Sequence, residues 1–290
     1  MKLNKYFYLI ALGVFSISLS PIITKTASSS SITIASNRML YTVVLLTPFT
    51  IKSIIGEIKT LNPRIILLNI LSGLFLAIHF WSWIDSLQYT SVANSTILVN
   101  LHPVFILLIA RVFLKEKIDS ISIISTLIAL CGSMLIIYNS LFNLSINPRG
   151  DIMAIVGAMT VSVYLTIGAS IRKDISTKSY TYITYSIAFI TLFIISLFIK
   201  TNVFNYPLSD ALVFLGLAVI PTLLGHSLFN MSLKYIKPHI VSMAILGEPI
   251  LATIWAYLLF QESISIFQLI GGFMIITALL VKLKSAKNSS

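Results

Sequence analysis

Two stretches decide how this chain is read. One is Ser86-Leu87-Gln88-Tyr89, leading to Leu101-His102-Pro103 and then Glu116. The other is Ser232-Leu233-Lys234-Tyr235, leading to Gly247-Glu248-Pro249 and then Glu262. The second follows the first at a constant offset of 146 residues, with no gap. One shared landmark could be chance, but an ordered set at one spacing marks an internal duplication.

Both stretches lie in a chain that water cannot solvate. Of its 290 residues, 57% are hydrophobic and only 10% charged, and the mean hydropathy is +0.96. A soluble domain carries roughly 25% charged residues, so an ordinary globular protein is excluded. A disordered chain, which needs low hydrophobicity, is excluded too. The apolar runs reach the ~20 residues that a membrane-crossing helix needs. An outer-membrane barrel would instead alternate apolar and polar over about 10 residues.

Ten runs stand out, near 5–24, 32–51, 65–85, 91–112, 119–139, 150–171, 179–199, 210–232, 238–259 and 264–283. The breaks carry turn residues: Asn62-Pro63, Asn147-Pro148, Asn205-Tyr206-Pro207 and Lys237-Pro238. The expected fold is all-α and integral to the membrane, with ten transmembrane helices as two five-helix repeats, 1–140 and 150–284. Five is odd, so the second repeat enters the bilayer inverted. Inverted repeats are a recurring plan of secondary transporters, with the substrate site near the midplane at their interface. The opening Met1-Lys2-Leu3-Asn4-Lys5, its apolar run and Thr26-Ala27-Ser28-Ser29 also admit a signal peptide. Its removal would leave nine runs and break the duplication.

The charges fit ten spans. Apart from Lys25, Arg149 and Lys200, and Arg38 within a span, all 20 Lys and Arg fall on the side of the two termini. That bias makes both termini cytoplasmic, in the cytoplasmic (inner) membrane of a bacterium. It also accounts for the net charge of +11 and the pI near 9.7 without a nucleic-acid partner. The expected partners are a small-molecule substrate and the lipid bilayer, and the chain acts as a monomer or homodimer. The single Cys131 excludes a disulfide framework, and its apolar neighbours Ile128, Ala129 and Leu130 suggest a buried thiol.

The sequence holds no His-Glu-x-x-His run, no Gly-x-Ser-x-Gly elbow and no phosphate loop. It reads as no enzyme and no ATP-driven pump. It has no cofactor or metal site, and a proton is its one candidate coupling species. Glu248 stands out because it sits about ten residues into the ninth run. A carboxylate there is expensive and normally faces a cavity or a partner. Pro249 has no N–H, so a carbonyl one turn back loses its partner. Glu248 either carries a proton or substrate charge, or ties the repeats together as a hydrogen-bonded acid. His102 is its counterpart in the first repeat. Thr222, His226 and Asn230 share one helix face, as do Ser72, Phe75, His79, Trp83 and Ser86. Such stripes belong inside a bundle, lining a site or binding helix to helix. Arg38 either snorkels to the outer interface or meets a substrate anion or Glu248.

The ordered set resembles the drug/metabolite transporter superfamily, and within it the EamA-type family. The residues that carry the resemblance are His79 and Trp83, Leu87-Gln88-Tyr89-Thr90-Ser91, Asn100-Leu101-His102-Pro103-Val104-Phe105 and Leu114-Lys115-Glu116. The second half adds Leu246-Gly247-Glu248-Pro249, Leu259-Phe260-Gln261-Glu262, and Gly150-Asp151 followed by Tyr164. Arg38 sits where second spans of the family often carry an arginine. The first span has Pro21 and Lys25 but lacks the family's Trp-Gly pair. The resemblance implies a secondary transporter of a small metabolite such as an amino acid, working by alternating access, with export as the expected direction. The substrate or proton pathway would comprise Glu248, His226, His79, His102, Trp83, Asn230, Thr222, Tyr164 and Arg38. A non-transporting membrane sensor or assembly subunit is the alternative. It requires every polar stripe to be internally paired, with no cavity.

Overall fold

Long apolar runs punctuated by Pro, Asn and Ser become helices with sharp beginnings. The computed structural model describes residues 2–90, 92–112, 115, 118–136, 138, 148–260 and 264–288, and every element among them is a helix. Leu114, Glu116, Gln261 and Glu262 of the repeated pattern lie outside the described residues, as does the glycosylation-type sequon Asn143-Leu144-Ser145.

The first half comprises α1 (Lys2–Ile17), α2 (Ser20–Lys25), α3 (Ser31–Ile58), α4 (Pro63–Tyr89), α5 (Val92–Val99), α6 (His102–Val112) and α7 (Ser120–Ile136). The second comprises α8 (Pro148–Ile171), α9 (Thr177–Phe198), α10 (Leu208–Leu217), a π-helical segment (Ala218–His226), α11 (Ser227–Ser232), α12 (Pro238–Ile245), α13 (Glu248–Phe260) and α14 (Ile266–Asn288). Caps set several starts. Ser30 and Ser176 accept from the N–H three residues on, and Asn62 caps α4 with Pro63 in its first turn.

Among the described residues, six stretches are long and apolar enough to cross a membrane: Lys5–Lys25, Ser31–Ile58, Pro63–Tyr89, Pro148–Ile171, Thr177–Phe198 and Leu208–Ser232. The expected fourth, fifth, ninth and tenth positions hold shorter apolar helices, His102–Val112, Ser120–Ile136, Pro238–Leu251 and Ile266–Lys282. The second span continues to Ile58, past its expected end at residue 51. Hydrophobicity fades there, but the first residues that stop a helix are Asn62 and Pro63. The extension carries Glu57 onto the start of α9, where it accepts from Ser176 N at 2.7 Å and Ser176 Oγ at 2.6 Å.

The halves pack reciprocally. Helix α4 of the first half lies on α8 of the second, and α1 lies on the π-helical segment and α11. Helices α3 and α9 pair across the halves, as do α7 and α14. The α7–α14 approach depends on Gly132 and Gly271: a Cβ on Gly132 would stand 2.6 Å from the Gly271 carbonyl oxygen. Small residues let membrane helices come this close. Helix α1 buries Ile10, Val14 and Ile17 in the core. Cys131 is exposed, contrary to expectation. Gly132 and Ser133 take the packed face of α7, which turns Cys131 outward beside the exposed Leu127 and Ile128.

Candidate functional site

The duplicated pattern reappears as two interrupted helices. The break between α5 and α6 falls at Asn100-Leu101, and that between α12 and α13 at Leu246-Gly247. These positions are again 146 residues apart. Tight three-residue turns bridge them: Val104 N donates to Leu101 O at 3.0 Å, and Gly247 N to Ala244 O at 2.9 Å. His102 and Glu248 each open the helix that resumes, and Pro103 or Pro249 follows.

The two breaks differ in chemistry. In a continuous helix the Val99 carbonyl would accept from residue 103, which is proline and has no N–H. His102 substitutes its own ring, with Nδ1 3.1 Å from Val99 O. The matching carbonyl in the second half belongs to Ile245, and the residue in the place of His102 is Glu248. Among the described residues, Glu248 has no ion-pair partner within 4 Å and no side-chain hydrogen bond. His102 closes its break, while Glu248 leaves its carboxyl free.

Both breaks meet one cavity of about 60 Å³. Its walls include Arg38, His79, Trp83, His102, His226 and Glu248. These are six of the nine residues singled out in the sequence. Ligand pockets usually span ~300–1,000 Å³, so this cavity is narrow for a small-molecule ligand. His79 is held by Nδ1, 2.9 Å from Gly157 O on α8. His226 ends the π-helical segment, and its ring lies 5.1 Å from the Phe80 ring and 6.3 Å from that of His79. Its buried Nδ1 has no hydrogen-bond partner. A π-helical stretch is rare and occurs mainly at functional sites. Pro221 lies inside it, and Gly225 lets Ile17 come within 2.6 Å of where a Cβ would stand.

The other three residues stand behind the wall. Thr222 accepts from Arg38 Nε at 2.8 Å. Tyr164 donates to Asn230 Oδ1 at 2.8 Å. The Asn230 carbonyl accepts from Arg172 Nε at 2.9 Å. Arg172 is fully buried, although it lies just past the sixth apolar run of the sequence, 150–171. Sequence reasoning also missed Ser20, Phe80, Asn100 and Phe229 as lining residues. Asn100 was legible, since it precedes the Leu-His-Pro of the repeated pattern. Phe80 and Phe229 carried no signal among so many phenylalanines.

Asp85, near the end of α4, accepts from Ser31 Oγ at 2.6 Å and pairs with Arg149 Nη2 at 3.2 Å. It is a tie between helices and lies outside the cavity wall. The sensor or assembly alternative requires every polar stripe to be internally paired, with no cavity, and His226 Nδ1 and the cavity that His226 lines do not meet that requirement.

The description that matches this chain is the EamA-like transporter family, over residues 4–138 and again over 148–283. The chain belongs to the EamA-like transporter family. The family's members are transporters, and this chain is accordingly a membrane transporter and not an enzyme. Relatives include an uncharacterised transporter of Haemophilus influenzae, 27% identical over 292 residues, covering 96% of this chain and 95% of that one. Another, from Archaeoglobus fulgidus, is 26% identical over 200 residues, 69% and 70% of the two chains. The pseudopaline exporter of Pseudomonas aeruginosa is 22% identical over 228 residues, 78% and 76% of the two chains. A crystal structure shares the fold with a TM-score of 0.79 over 99% of both chains, at 14% identity.

Proposed function

We propose that this EamA-family protein is a secondary exporter of a small polar or amphipathic metabolite such as an amino acid. Its ten spans, as two inverted halves, rock around the cavity at the two helix breaks and expose it to one side of the membrane at a time. The charge bias of the loops supports cytoplasmic termini in a bacterial inner membrane. The exporter among the relatives supports the outward direction. No cofactor takes part, and the coupling species is a proton carried by Glu248.

One observation carries this reading. Both interrupted helices line one cavity, and among the described residues the acidic one presents an unpaired carboxyl to it. Half-helix starts beside unwound backbone are where transporters hold charged substrates and coupling ions. The test is solute uptake into proteoliposomes with and without an imposed pH gradient. Glu248→Gln is expected to lose gradient-driven accumulation. Full gradient-driven uptake by Glu248→Gln would remove the proton role, and no movement of any solute would remove the transporter assignment.

A further inference from the structure

Arg38 is 1% exposed, yet among the described residues no carboxylate comes within 4 Å of it. Nε donates to Thr222 Oγ1 at 2.8 Å, and Nη1 to Ser20 Oγ at 3.3 Å. Both partners are neutral. The guanidinium carbon sits 4.0 Å above the Phe80 ring. These contacts come from α2, α4 and the π-helical segment. They fix the guanidinium plane and, among the described residues, leave Nη2 as the edge without a bond. Arg38 therefore does not snorkel; it turns inward and lines the cavity.

A buried cation held only by neutral groups retains much of its desolvation penalty. Glu248 lines the same cavity and would be the obvious counter-ion, but the two stay beyond contact distance. An ion pair whose purpose was structural would close to a charge-assisted hydrogen bond of about 2.7–2.9 Å. Here a fixed planar donor and a free carboxyl face one space without meeting. That arrangement fits a ligand with an anionic and a cationic end. The planar fork of arginine suits a carboxylate in a way that a lysine ammonium does not.

Resting on the transporter reading of this cavity, we infer that Arg38 is the specificity-determining residue that reads the substrate's carboxylate. The substrate's carboxylate docks on the Nη2 edge of Arg38, and its ammonium goes to Glu248. Thr222, Ser20 and Phe80 are positioning residues that aim the fork. The cavity widens to admit the substrate as the halves rock.

The test is direct binding, so that it does not depend on transport. Full-length protein in lipid nanodiscs is titrated calorimetrically with the standard L-amino acids. The tightest binder is then compared with its own amide and its own N-acetyl derivative. The amide is expected to bind about tenfold more weakly than the acid or worse. Arg38→Gln should weaken the acid about tenfold while leaving the amide unchanged, and Arg38→Lys should recover only part of the loss. Glu248→Gln should instead abolish the preference for the free amine over the N-acetyl form. If Arg38→Gln does not fold, Thr222→Val with Ser20→Ala frees the fork without removing it. That variant should cut the acid-to-amide ratio by about threefold. Equal binding of acid and amide to the wild type overturns the inference, as does equal weakening of both by Arg38→Gln. No binding by any amino acid to folded protein overturns it too. Arg38-dependent binding without movement across a proteoliposome would refute transport and leave this inference standing. Transport of an amino amide as fast as its acid would do the reverse.

Discussion

Truncating Asp210 should open the bundle on the side that carries the turn between α2 and α3. Asp210 lies in the first turn of α10, in the second half. Its carboxylate accepts from Ser28 N at 3.1 Å, Ser29 N at 2.9 Å and Ser29 Oγ at 2.5 Å. Those serines form the turn between α2 and α3, in the first half, so the bonds must break if the halves part on that side. A hydrogen bond to a charged group contributes about 1.5–3 kcal/mol. Three would exceed that, but Ser28 is exposed, and the freed N–H groups can turn to water. The net loss for Asp210→Ala is then about 2 kcal/mol. At 1.4 kcal/mol per tenfold, this shifts the closed-to-open ratio by roughly 30-fold. The reporter is Val99→Cys, a cavity-lining position, in a Cys131→Ser background. Membrane-impermeant maleimide is added to the outside of cells, and the labelling rate tracks the open population. The expected result is a rate about 30-fold higher in Asp210→Ala, with a smaller rise in Asp210→Asn, which keeps one acceptor oxygen. A rate within twofold of the parent, in protein with the same thermal stability, would refute Asp210 as a latch.

Three further outcomes are expected. Gly271→Val drives a side chain into the Gly132 carbonyl and should lower stability by about 1–3 kcal/mol in thermal melts; Gly56→Ala, with nothing within 4 Å, should be neutral or raise it by about 0.5–1 kcal/mol. His102→Ala removes the donor from Val99 O and should cost about 1–3 kcal/mol by the same measure, whereas a melt unchanged from wild type would mean that water replaces the ring. Asp119 lies just outside α7 and pairs with Lys282 Nζ at 2.9 Å. Burial pulls its carboxyl up, but the Lys282 ammonium and the Ser122 hydroxyl and backbone N–H outweigh that and hold it well below the usual carboxylate range. A depressed carboxylate stabilises above its ordinary value and loses that contribution as pH falls through the folded one. Asp119→Asn should therefore melt lower than wild type at pH 7, and the gap should close below about pH 4. With the carboxylate 53% exposed, solvent screening keeps the gap under about 1 kcal/mol, and a gap that widened in acid would contradict the sign.

The solvent of this protein could be read from the sequence, and so could its plan. Hydrophobic runs and turn residues are local quantities, and lipid enforces them span by span. The 146-residue offset was equally local, because duplication leaves its trace in the order of residues. It located Glu248 and His102, and the structure places both at the start of a resumed helix. Helix phase also carried His79, Trp83 and His226 to the inner wall.

Packing decided what phase could not reach. Phase shows that a side chain points inward but not what meets it there. Thr222, Asn230 and His226 share one face, yet Thr222 anchors Arg38, Asn230 accepts from Tyr164, and only His226 lines the cavity. The π-helical turn between Ala218 and His226 alters the spacing that a 3.6-residue pattern assumes. Arg38 and Arg172 are both basic residues near span ends by sequence, but they have opposite fates: one lines the cavity and the other is consumed by the carbonyls of Asn230 and Ile175. The choice between a paired and a free Glu248 was likewise tertiary. A carboxyl's partners come from helices distant in the chain, and only their packing fixes whether a donor arrives.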